Sequence, residues 1–260
     1  MPTMGGRVLE GTAMRLVSFV VPTLREDEIG ATLRRLSTHL VGIDGYEFEI
    51  LLVDDSSEPY KRAMDEATRA NDKTFAPRVV AKRVDGPRRG KGAAIRVGVS
   101  ASGGDIVFTM DADLPVPLDN VEKFLRLLEE GSDAVIGERS FDRNFGHPIR
   151  FAVSLVLFGF QRLVVFQSRA FNDTQCGFKA FKGDLARRLA REQIVDGGMV
   201  DIEYLYAATL TKARVARVPV IRNPETRQSK INVKRAVRQD PVDLLRIKWN
   251  GIRGRYGGRR

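Results

Sequence analysis

The sequence is poor in several features that define large classes of proteins. It has one cysteine, Cys176, in 260 residues, so an intrachain disulfide is impossible and we expect a reducing compartment. The first fifteen residues contain no apolar stretch that would serve as a signal peptide or anchor. The longest apolar segment, 148–166, is interrupted by Gln161 and Arg162, whereas a bilayer span needs about twenty apolar residues. These absences predict a cytoplasmic protein without a membrane-spanning helix.

Positive charge is concentrated near the C-terminus. The net charge is +10, and residues 212–260 hold fifteen Lys and Arg against three acids, a balance of +12 that leaves −2 for the rest. Such a segment suits nucleic acid, an anionic membrane or a phosphorylated substrate, or it is a solvated tail without a partner. We expect no nucleic acid, because only Trp249 and Tyr256 are there to stack on bases.

Strand-sized apolar runs alternate with helix-sized periodic segments. The runs lie at 16–22, 48–53, 78–84, 105–110 and 133–138, and the helical segments at 26–41, 58–70 and 117–130. This alternation predicts an α/β fold, a mostly parallel sheet sandwiched by helices. The first strand is followed by PTLRED and not by a glycine-rich loop, which argues against a sugar nucleotidyltransferase.

The predicted domain organisation has three parts. Residues 1–14 form a flexible N-terminus, 15–235 one α/β domain, and 236–260 a basic amphipathic helix and tail. Asp240 and Pro241 are a typical helix start, and we expect the closing GRYGGRR to be disordered.

Paired acids directly follow two of the predicted strands. Asp54 and Asp55 end one run, and Asp111 and Asp113 end another. The carboxyl ends of parallel strands are where α/β sheets place their chemistry. Close carboxylates repel one another unless a cation is present, and Mg²⁺ or Mn²⁺ takes one or two carboxylates together with substrate phosphates. The pattern therefore indicates a site for a metal-bound diphosphate, although a lone acid there is commonly a helix cap or turn residue.

A glycine-rich helix start lies between these two acidic strand ends. Gly90, Lys91 and Gly92 open the segment RGKGAAIRVGV, where backbone N–H groups and a lysine can meet anionic oxygens. A glycine turn with a surface lysine is the structural alternative.

Five stretches in order resemble the motifs of glycosyltransferase family 2: FVVPTLRE, EILLVDDSS, RGKGAAIRVGV, MDADLPVP and DTQCGFKAF. The resemblance spans about residues 16–250 and implies a GT-A fold, a divalent metal (Mg²⁺ or Mn²⁺), and inverting transfer of a hexose from a nucleotide sugar. DTQCGFKAF, with QSKIN and DLLRIKWN downstream, resembles the members that act on polyprenyl phosphates. The implied donor is UDP-glucose or GDP-mannose, and the implied location is peripheral, at the cytosolic face of the membrane.

The resemblance also assigns roles to individual residues. Asp113, with Asp111, would hold the metal, and Arg139 would contact the acceptor phosphate. The nucleotide-sugar pocket would be lined by Pro22, Thr23, Glu26, Asp54, Asp55, Lys91, Asp111 and Ala112. The acceptor side would be formed by Arg139, Asp173, Gln175, Lys179 and Lys230.

The nucleophile decides whether a general base is needed. A hydroxyl acceptor requires one, and Asp201 or Glu203, at the start of a predicted helix, is the candidate. A lipid phosphate is already anionic and needs cations such as Arg139, Arg150, Arg227 and Lys230. Acids in a first helical turn also favour the helix dipole without any catalytic role. The candidate catalytic residues are therefore Asp201, Glu203 and Arg139, and a soluble hydroxyl acceptor stays open as the alternative.

Two segments bear on membrane association. Residues 148–166 predict an amphipathic helix that lies on a membrane or covers an acceptor groove, or a simple buried helix. Trp249 among lysines and arginines suits a membrane interface.

Overall fold

The computed structural model describes residues 14–23, 28–54, 58–139, 159, 161–166, 171, 173–221 and 238–257. The strands are β1 (Arg15–Thr23), β2 (Tyr46–Asp54), β3 (Val79–Asp85), β4 (Ile106–Thr109), β5 (Ala134–Arg139), β6 (Lys179–Lys182) and β7 (Val215–Val220). The α-helices are α1 (Ile29–Leu40), α2 (Glu58–Phe75), α3 (Lys91–Ala101), α4 (Asn120–Glu129), α5 (Gly183–Glu192), α6 (Val200–Leu210) and α7 (Asp240–Ile252). A π-helical stretch (Gln161–Phe166) and a 3₁₀ turn (Arg255–Gly257) complete the described elements.

The strands form one mixed sheet in the order β3-β2-β1-β4-β6-β5-β7. All neighbours are parallel except β6, which runs antiparallel to both β4 and β5. From β1 the chain moves outward through β2 and β3 and then returns to β4 on the other side of β1. Such a reversal opens a crevice at the carboxyl ends of the strands. The five predicted strands and the α/β fold are confirmed, whereas β6 and β7 were not predicted.

Two apolar cores hold the helices against the sheet. On one face α1, α2 and α4 cover a core with an aromatic centre, in which Phe19 stacks on Phe108 with ring centroids 4.6 Å apart. On the other face α3, α5, α6 and α7 contribute Ile95, Leu189 and Leu244, among others. Both faces of the central strands are buried, which explains why their sequences are nearly continuous apolar runs.

The C-terminal helix is packed onto the body of the protein. Helix α7 begins at Asp240 as predicted, and its Leu244 and Ile247 are fully buried. The prediction that GRYGGRR is disordered was wrong at Tyr256, which is buried and donates a hydrogen bond to Glu203 Oε1 at 2.8 Å. Burial of a large aromatic ring with a satisfied hydroxyl fixes this turn. Residues 258–260 and 1–13 lie outside the described residues.

The predicted amphipathic segment 148–166 lies mostly outside the described residues. Its end, Gln161–Phe166, is π-helical, and Gln161 is buried and accepts a hydrogen bond from the Thr174 hydroxyl at 2.7 Å. Within the described part of the chain, every helix is too short or too polar to cross a membrane.

Candidate active site

The acidic turn after β4 presents two carboxylates at the carboxyl edge of the sheet. The turn is closed by the Leu114 N–H, which donates to the Asp111 carbonyl at 3.2 Å, and Leu114 has a φ of 47°. Ala112 is buried, whereas Asp111 is partly exposed and Asp113 is exposed. The Ala112 side chain therefore points into the protein, and the Asp111 and Asp113 carboxylates face the solvent.

Lys91 links the acidic turn to helix α6. It is the first residue of α3, and Gly90 before it has a φ of 120°, a conformation that favours glycine. The Lys91 ammonium lies 2.8 Å from Asp111 Oδ1 and 2.9 Å from Asp201 Oδ2. Lys91 was predicted to lie near the diphosphate of the donor, and in the structure its ammonium contacts the first acid after β4.

The charge chain continues inward from Asp201 to a buried lysine. The Lys179 ammonium lies 3.0 Å from Asp201 Oδ1 and also donates to the Cys176 carbonyl. Lys179 is 1% exposed and Asp201 5% exposed. Asp111, Lys91, Asp201 and Lys179 thus form a chain of alternating charge from the surface into the interior, and we name it the charge chain. Lys179, predicted on the acceptor side, lies beneath the edge and not on its surface.

Contacts within the charge chain favour the charged forms of Lys91 and Asp201. Burial alone would lower the pKa of Lys91, but Asp111 and Asp201 raise that pKa above its usual value. Burial alone would raise the pKa of Asp201, but Lys179 and Lys91 hold that pKa below its usual value. A carboxylate held by two ammonium groups is a weak proton acceptor, which is unfavourable for a general base.

Glu203, the other candidate base, has structural contacts. It is 1% exposed, and its two oxygens accept the backbone N–H groups of Ile194 (2.7 Å) and Val195 (2.9 Å). Burial raises its pKa, although these bonds and the Tyr256 hydroxyl act in the opposite direction. The carboxylate caps a buried loop and anchors the C-terminal turn.

Gly177 makes room for the outer half of the charge chain. A Cβ at this position would lie 2.4 Å from Asp111 Oδ2 and 3.0 Å from Lys91 Nζ. Thr109 Oγ1 in turn donates to the Gly177 carbonyl at 3.2 Å, which ties the glycine to β4. Neither residue was among the sequence-based candidates. Gly177 lies within the quoted stretch DTQCGFKAF, but only the fold shows what it approaches.

Arg139 and Asp173, which the resemblance assigns to the acceptor side, form an ion pair. Arg139 ends β5, and its guanidinium donates to both carboxylate oxygens of Asp173, from Nε at 2.6 Å and from Nη2 at 3.2 Å. Burial would lower the pKa of Arg139, but Asp173 raises it above its usual value, and Arg139 in turn lowers the pKa of Asp173 against the effect of burial. Asp173 also accepts the backbone N–H of Gln175, whose side chain is exposed.

The remaining candidates for the nucleotide pocket lie at the ends of β1 and β2. Thr23 and Asp54 are register partners, and Pro22 precedes them. Thr23 is buried and donates its hydroxyl to the Val53 carbonyl at 3.1 Å, so it joins the two strands. Glu26, Asp55 and Lys230, together with Arg150 and Arg227, lie outside the described residues.

The acidic turn has the donor chemistry of a magnesium or manganese site. Asp111 and Asp113 offer carboxylate oxygens from one exposed turn, and Mg²⁺ is commonly held by one or two carboxylates plus substrate phosphates. Among the described residues there is no group of three or more His, Cys, Asp or Glu side chains arranged for a metal ion. The two aspartates therefore fit a metal that shares its ligands with a diphosphate.

Comparison with solved structures defines the class of fold. Glucosyl-3-phosphoglycerate synthase from Mycobacterium tuberculosis, solved with phosphoglyceric acid, superposes with a TM-score of 0.62 at 22% identity, over 90% of this chain and 80% of that one. A further complex of that enzyme contains Mn²⁺, UDP-glucose and phosphoglyceric acid and gives a TM-score of 0.62 at 21% identity, with the same coverage. The chain has the GT-A fold of these glycosyltransferases.

Sequence comparison defines the family. Residues 18–186 match Glycosyl transferase family 2. Dolichyl-phosphate beta-glucosyltransferase from Drosophila melanogaster is 31% identical over 227 residues, 82% of this chain and 68% of that protein. The human dolichyl-phosphate beta-glucosyltransferase is 29% identical over 78% of this chain and 66% of that protein. An undecaprenyl-phosphate 4-deoxy-4-formamido-L-arabinose transferase from Pseudomonas syringae is 31% identical over 65% of this chain and 48% of that protein.

This chain belongs to glycosyl transferase family 2 and is a glycosyltransferase, which confirms the resemblance found in its motifs. It spans about two thirds of the length of the Drosophila and human relatives.

Proposed function

We propose that this glycosyltransferase transfers a hexose from a nucleotide sugar to a polyprenyl phosphate, with inversion at the anomeric carbon, at the cytosolic face of a membrane. The observation that supports the proposal is that both candidate bases, Asp201 and Glu203, are already engaged in contacts within the protein. Asp201 is held by two lysines, and Glu203 binds two backbone N–H groups and a tyrosine hydroxyl. A phosphate acceptor needs no base, because it is already an anion near neutral pH.

The relatives support the same acceptor class. Two are named for dolichyl phosphate and one for undecaprenyl phosphate, and a long-chain polyprenyl phosphate is common to these names. Glucose is the proposed sugar, because the first two are named glucosyltransferases. UDP-glucose is the proposed donor, since the M. tuberculosis enzyme of the same fold was solved with it. GDP-mannose is the donor to test against it.

The acidic turn is proposed to hold Mg²⁺ or Mn²⁺ through Asp113 and Asp111. Such a cation would neutralise the charge that develops on the leaving diphosphate. Lys91 fixes the direction of the Asp111 carboxylate through their 2.8 Å contact, and Asp201 fixes Lys91 from below. Pre-positioned groups of this kind need little rearrangement during the reaction.

Arg139 is proposed to hold the acceptor phosphate. Asp173 binds the guanidinium through Nε and Nη2 and so sets its plane. A guanidinium carries five N–H donors, so this pair retains donor capacity for phosphate oxygens. Lys230 is a further predicted acceptor contact, outside the described residues.

A soluble hydroxyl acceptor is the second candidate function. It would require Asp201 or Glu203 to take a proton, and the contacts of both carboxylates oppose this role. Two results together would favour the hydroxyl acceptor: the unaltered protein labels a soluble sugar without any lipid, and Asp201→Asn loses this transfer.

Transfer of labelled sugar into the lipid phase tests the proposal. The purified protein is incubated with undecaprenyl or dolichyl phosphate, Mg²⁺ or Mn²⁺, and either UDP-glucose or GDP-mannose. The matched variants are Asp113→Asn and Asp119→Asn, which removes an exposed acid outside the D-x-D turn. We expect labelling from UDP-glucose that Asp113→Asn abolishes and Asp119→Asn retains. Slow hydrolysis of the donor without lipid labelling would contradict the acceptor assignment.

A further inference from the structure

Helix α7 has two apolar faces, and only one is covered by the described part of the protein. Leu244 and Ile247 on the inner face are fully buried. On the outer face Val242, Leu245, Trp249 and Ile252 are 48%, 53%, 54% and 67% exposed. Their spacing of three, four and three residues places them in one stripe along the helix. We name these four side chains the outer stripe.

The outer stripe holds four of the seven large hydrophobic side chains that are exposed among the described residues. A contiguous apolar patch with a polar rim usually marks an interaction site.

The rim of the outer stripe is positively charged. Arg246 and Arg253 are exposed and follow Leu245 and Ile252 directly. The Arg253 guanidinium lies 4.5 Å from the centroid of the Trp249 ring. From residue 240 to 257 the sequence has four Lys and Arg and two acids, Asp240 at the helix start and Asp243, which is buried and lies 3.4 Å from Arg246 Nη1. The charge of this surface is therefore complementary to an anionic partner.

This combination favours a lipid surface over another protein copy or a nucleic acid. In a two-fold dimer the outer stripe would face the same surface of a second copy, which would bring two positively charged rims together. A nucleic-acid surface uses several aromatic rings for stacking, whereas this face offers one. Bulky aliphatic side chains beside tryptophan and arginine are typical of helices that lie in the headgroup region of a bilayer.

We propose that the outer stripe docks on an anionic bilayer, with Leu245, Trp249 and Ile252 inserted and Arg246 and Arg253 at the lipid headgroups. This inference rests on the proposed function, because transfer to a polyprenyl phosphate requires the enzyme to bind a membrane. Docking brings the protein to the surface in which a polyprenyl phosphate is anchored.

Trp249 reports directly on this contact, because it is the only tryptophan in the chain. The whole protein is titrated with phosphatidylcholine vesicles, with and without phosphatidylglycerol, and both lack polyprenyl phosphate. We expect a blue shift of tryptophan emission and co-sedimentation with the anionic vesicles, both weakened by salt. The variants are Leu245→Ser with Ile252→Ser, Arg246→Gln with Arg253→Gln, and the control Met14→Ser, an exposed apolar residue elsewhere.

The first pair should weaken vesicle binding roughly tenfold or more, since burying one large apolar side chain is worth about that factor or more. The arginine pair should remove the preference for anionic vesicles, and Met14→Ser should bind as the unaltered protein does. Absence of a blue shift, or equal binding by all variants, would overturn the proposal. Self-association that Leu245→Ser abolishes would also overturn it and assign the stripe to a second copy.

Transfer assayed in detergent separates this proposal from the proposed function. Vesicle binding without transfer to detergent-dispersed polyprenyl phosphate would retain the docking surface and contradict the function. Transfer in detergent without vesicle binding would retain the function and contradict the docking surface.

Discussion

A side chain larger than that of glycine at position 177 would displace the Asp111 carboxylate of the acidic turn. An added methyl group would overlap Asp111 Oδ2 at 2.4 Å and crowd Lys91 Nζ at 3.0 Å. We expect Gly177→Ala to lower kcat/KM by on the order of a hundredfold, because misplacement of a positioning group by about 1 Å has that effect. Steady-state transfer kinetics and donor binding by calorimetry measure it. Gly198→Ala is the matched control, since nothing lies within 4 Å of its added Cβ. Equal activity of the two variants would contradict the role of Gly177.

Asp201 is expected to stabilise the fold and not to accept a proton. Its lowered pKa means that the folded state binds this proton less tightly than the unfolded chain. The stabilisation is therefore present above the ordinary carboxyl pKa and is lost as the pH falls below about 4. Asp201→Asn should lower the free energy of unfolding at neutral pH by about 3 kcal/mol or more, because it leaves the buried Lys179 ammonium without its carboxylate.

Urea unfolding at neutral and acidic pH measures this effect. The difference between the unaltered protein and Asp201→Asn should shrink in acid, whereas Asp184→Asn, a fully exposed control on α5, should show little difference at any pH. A pH–rate profile that loses an ascending limb near neutrality in Asp201→Asn would instead identify Asp201 as a base.

At the residue scale the sequence predicts contacts that follow from strand ends. Asp111 was placed at the carboxyl edge because it directly follows a predicted strand, and Lys91 near the diphosphate because it opens a glycine-rich helix start; the structure brings the two to 2.8 Å. The contact between Lys179 and Asp201 joins residues on β6 and α6 that no local pattern connects. Whether a lysine near the edge faces substrate or a buried carboxylate depends on packing.

At the scale of elements, the C-terminal turn is anchored to helix α6 through one hydroxyl. Tyr256 donates to the buried Glu203 carboxylate at 2.8 Å, and Glu203 holds the loop before α6. Tyr256→Phe should lower the free energy of unfolding by about 1.5–3 kcal/mol, the usual value for a hydrogen bond to a charged group. Chemical denaturation measures the change. A stability equal to that of the unaltered protein would show that the contact is not formed in solution.

Some secondary-structure elements can be predicted from their own sequences and others cannot. Strands β1, β2 and β4 are apolar runs buried on both faces, and all three were predicted. Strand β6 is only KAFK, four residues that carry two lysines, and it is fixed by pairing with β4 and β5 on either side. Tyr256 belongs to the stretch GRYGGRR that was predicted to be disordered, yet its ring is buried and packs against Tyr206.

In the whole molecule, charged side chains are concentrated at two places. Acids and their lysine partners occupy the carboxyl edge of the sheet, and an exposed arginine-rimmed apolar stripe lies on the last helix. This arrangement suits an enzyme that joins an anionic donor to an anionic acceptor held in a membrane. The alternation of strands and helices predicted the fold, whereas the contacts of Asp201 and Glu203, on which the proposed acceptor rests, join residues that no local pattern connects.

Two lipid acceptors that differ by one group distinguish a phosphate nucleophile from a hydroxyl nucleophile. Undecaprenyl phosphate and undecaprenol are offered in parallel, with labelled UDP-glucose and Mg²⁺. The phosphate is an anion that can attack without a base, whereas the alcohol needs one. If the acceptor is a polyprenyl phosphate, we expect only undecaprenyl phosphate to be labelled. Labelling of undecaprenol, or of neither lipid while a soluble hydroxyl compound is labelled, would contradict it.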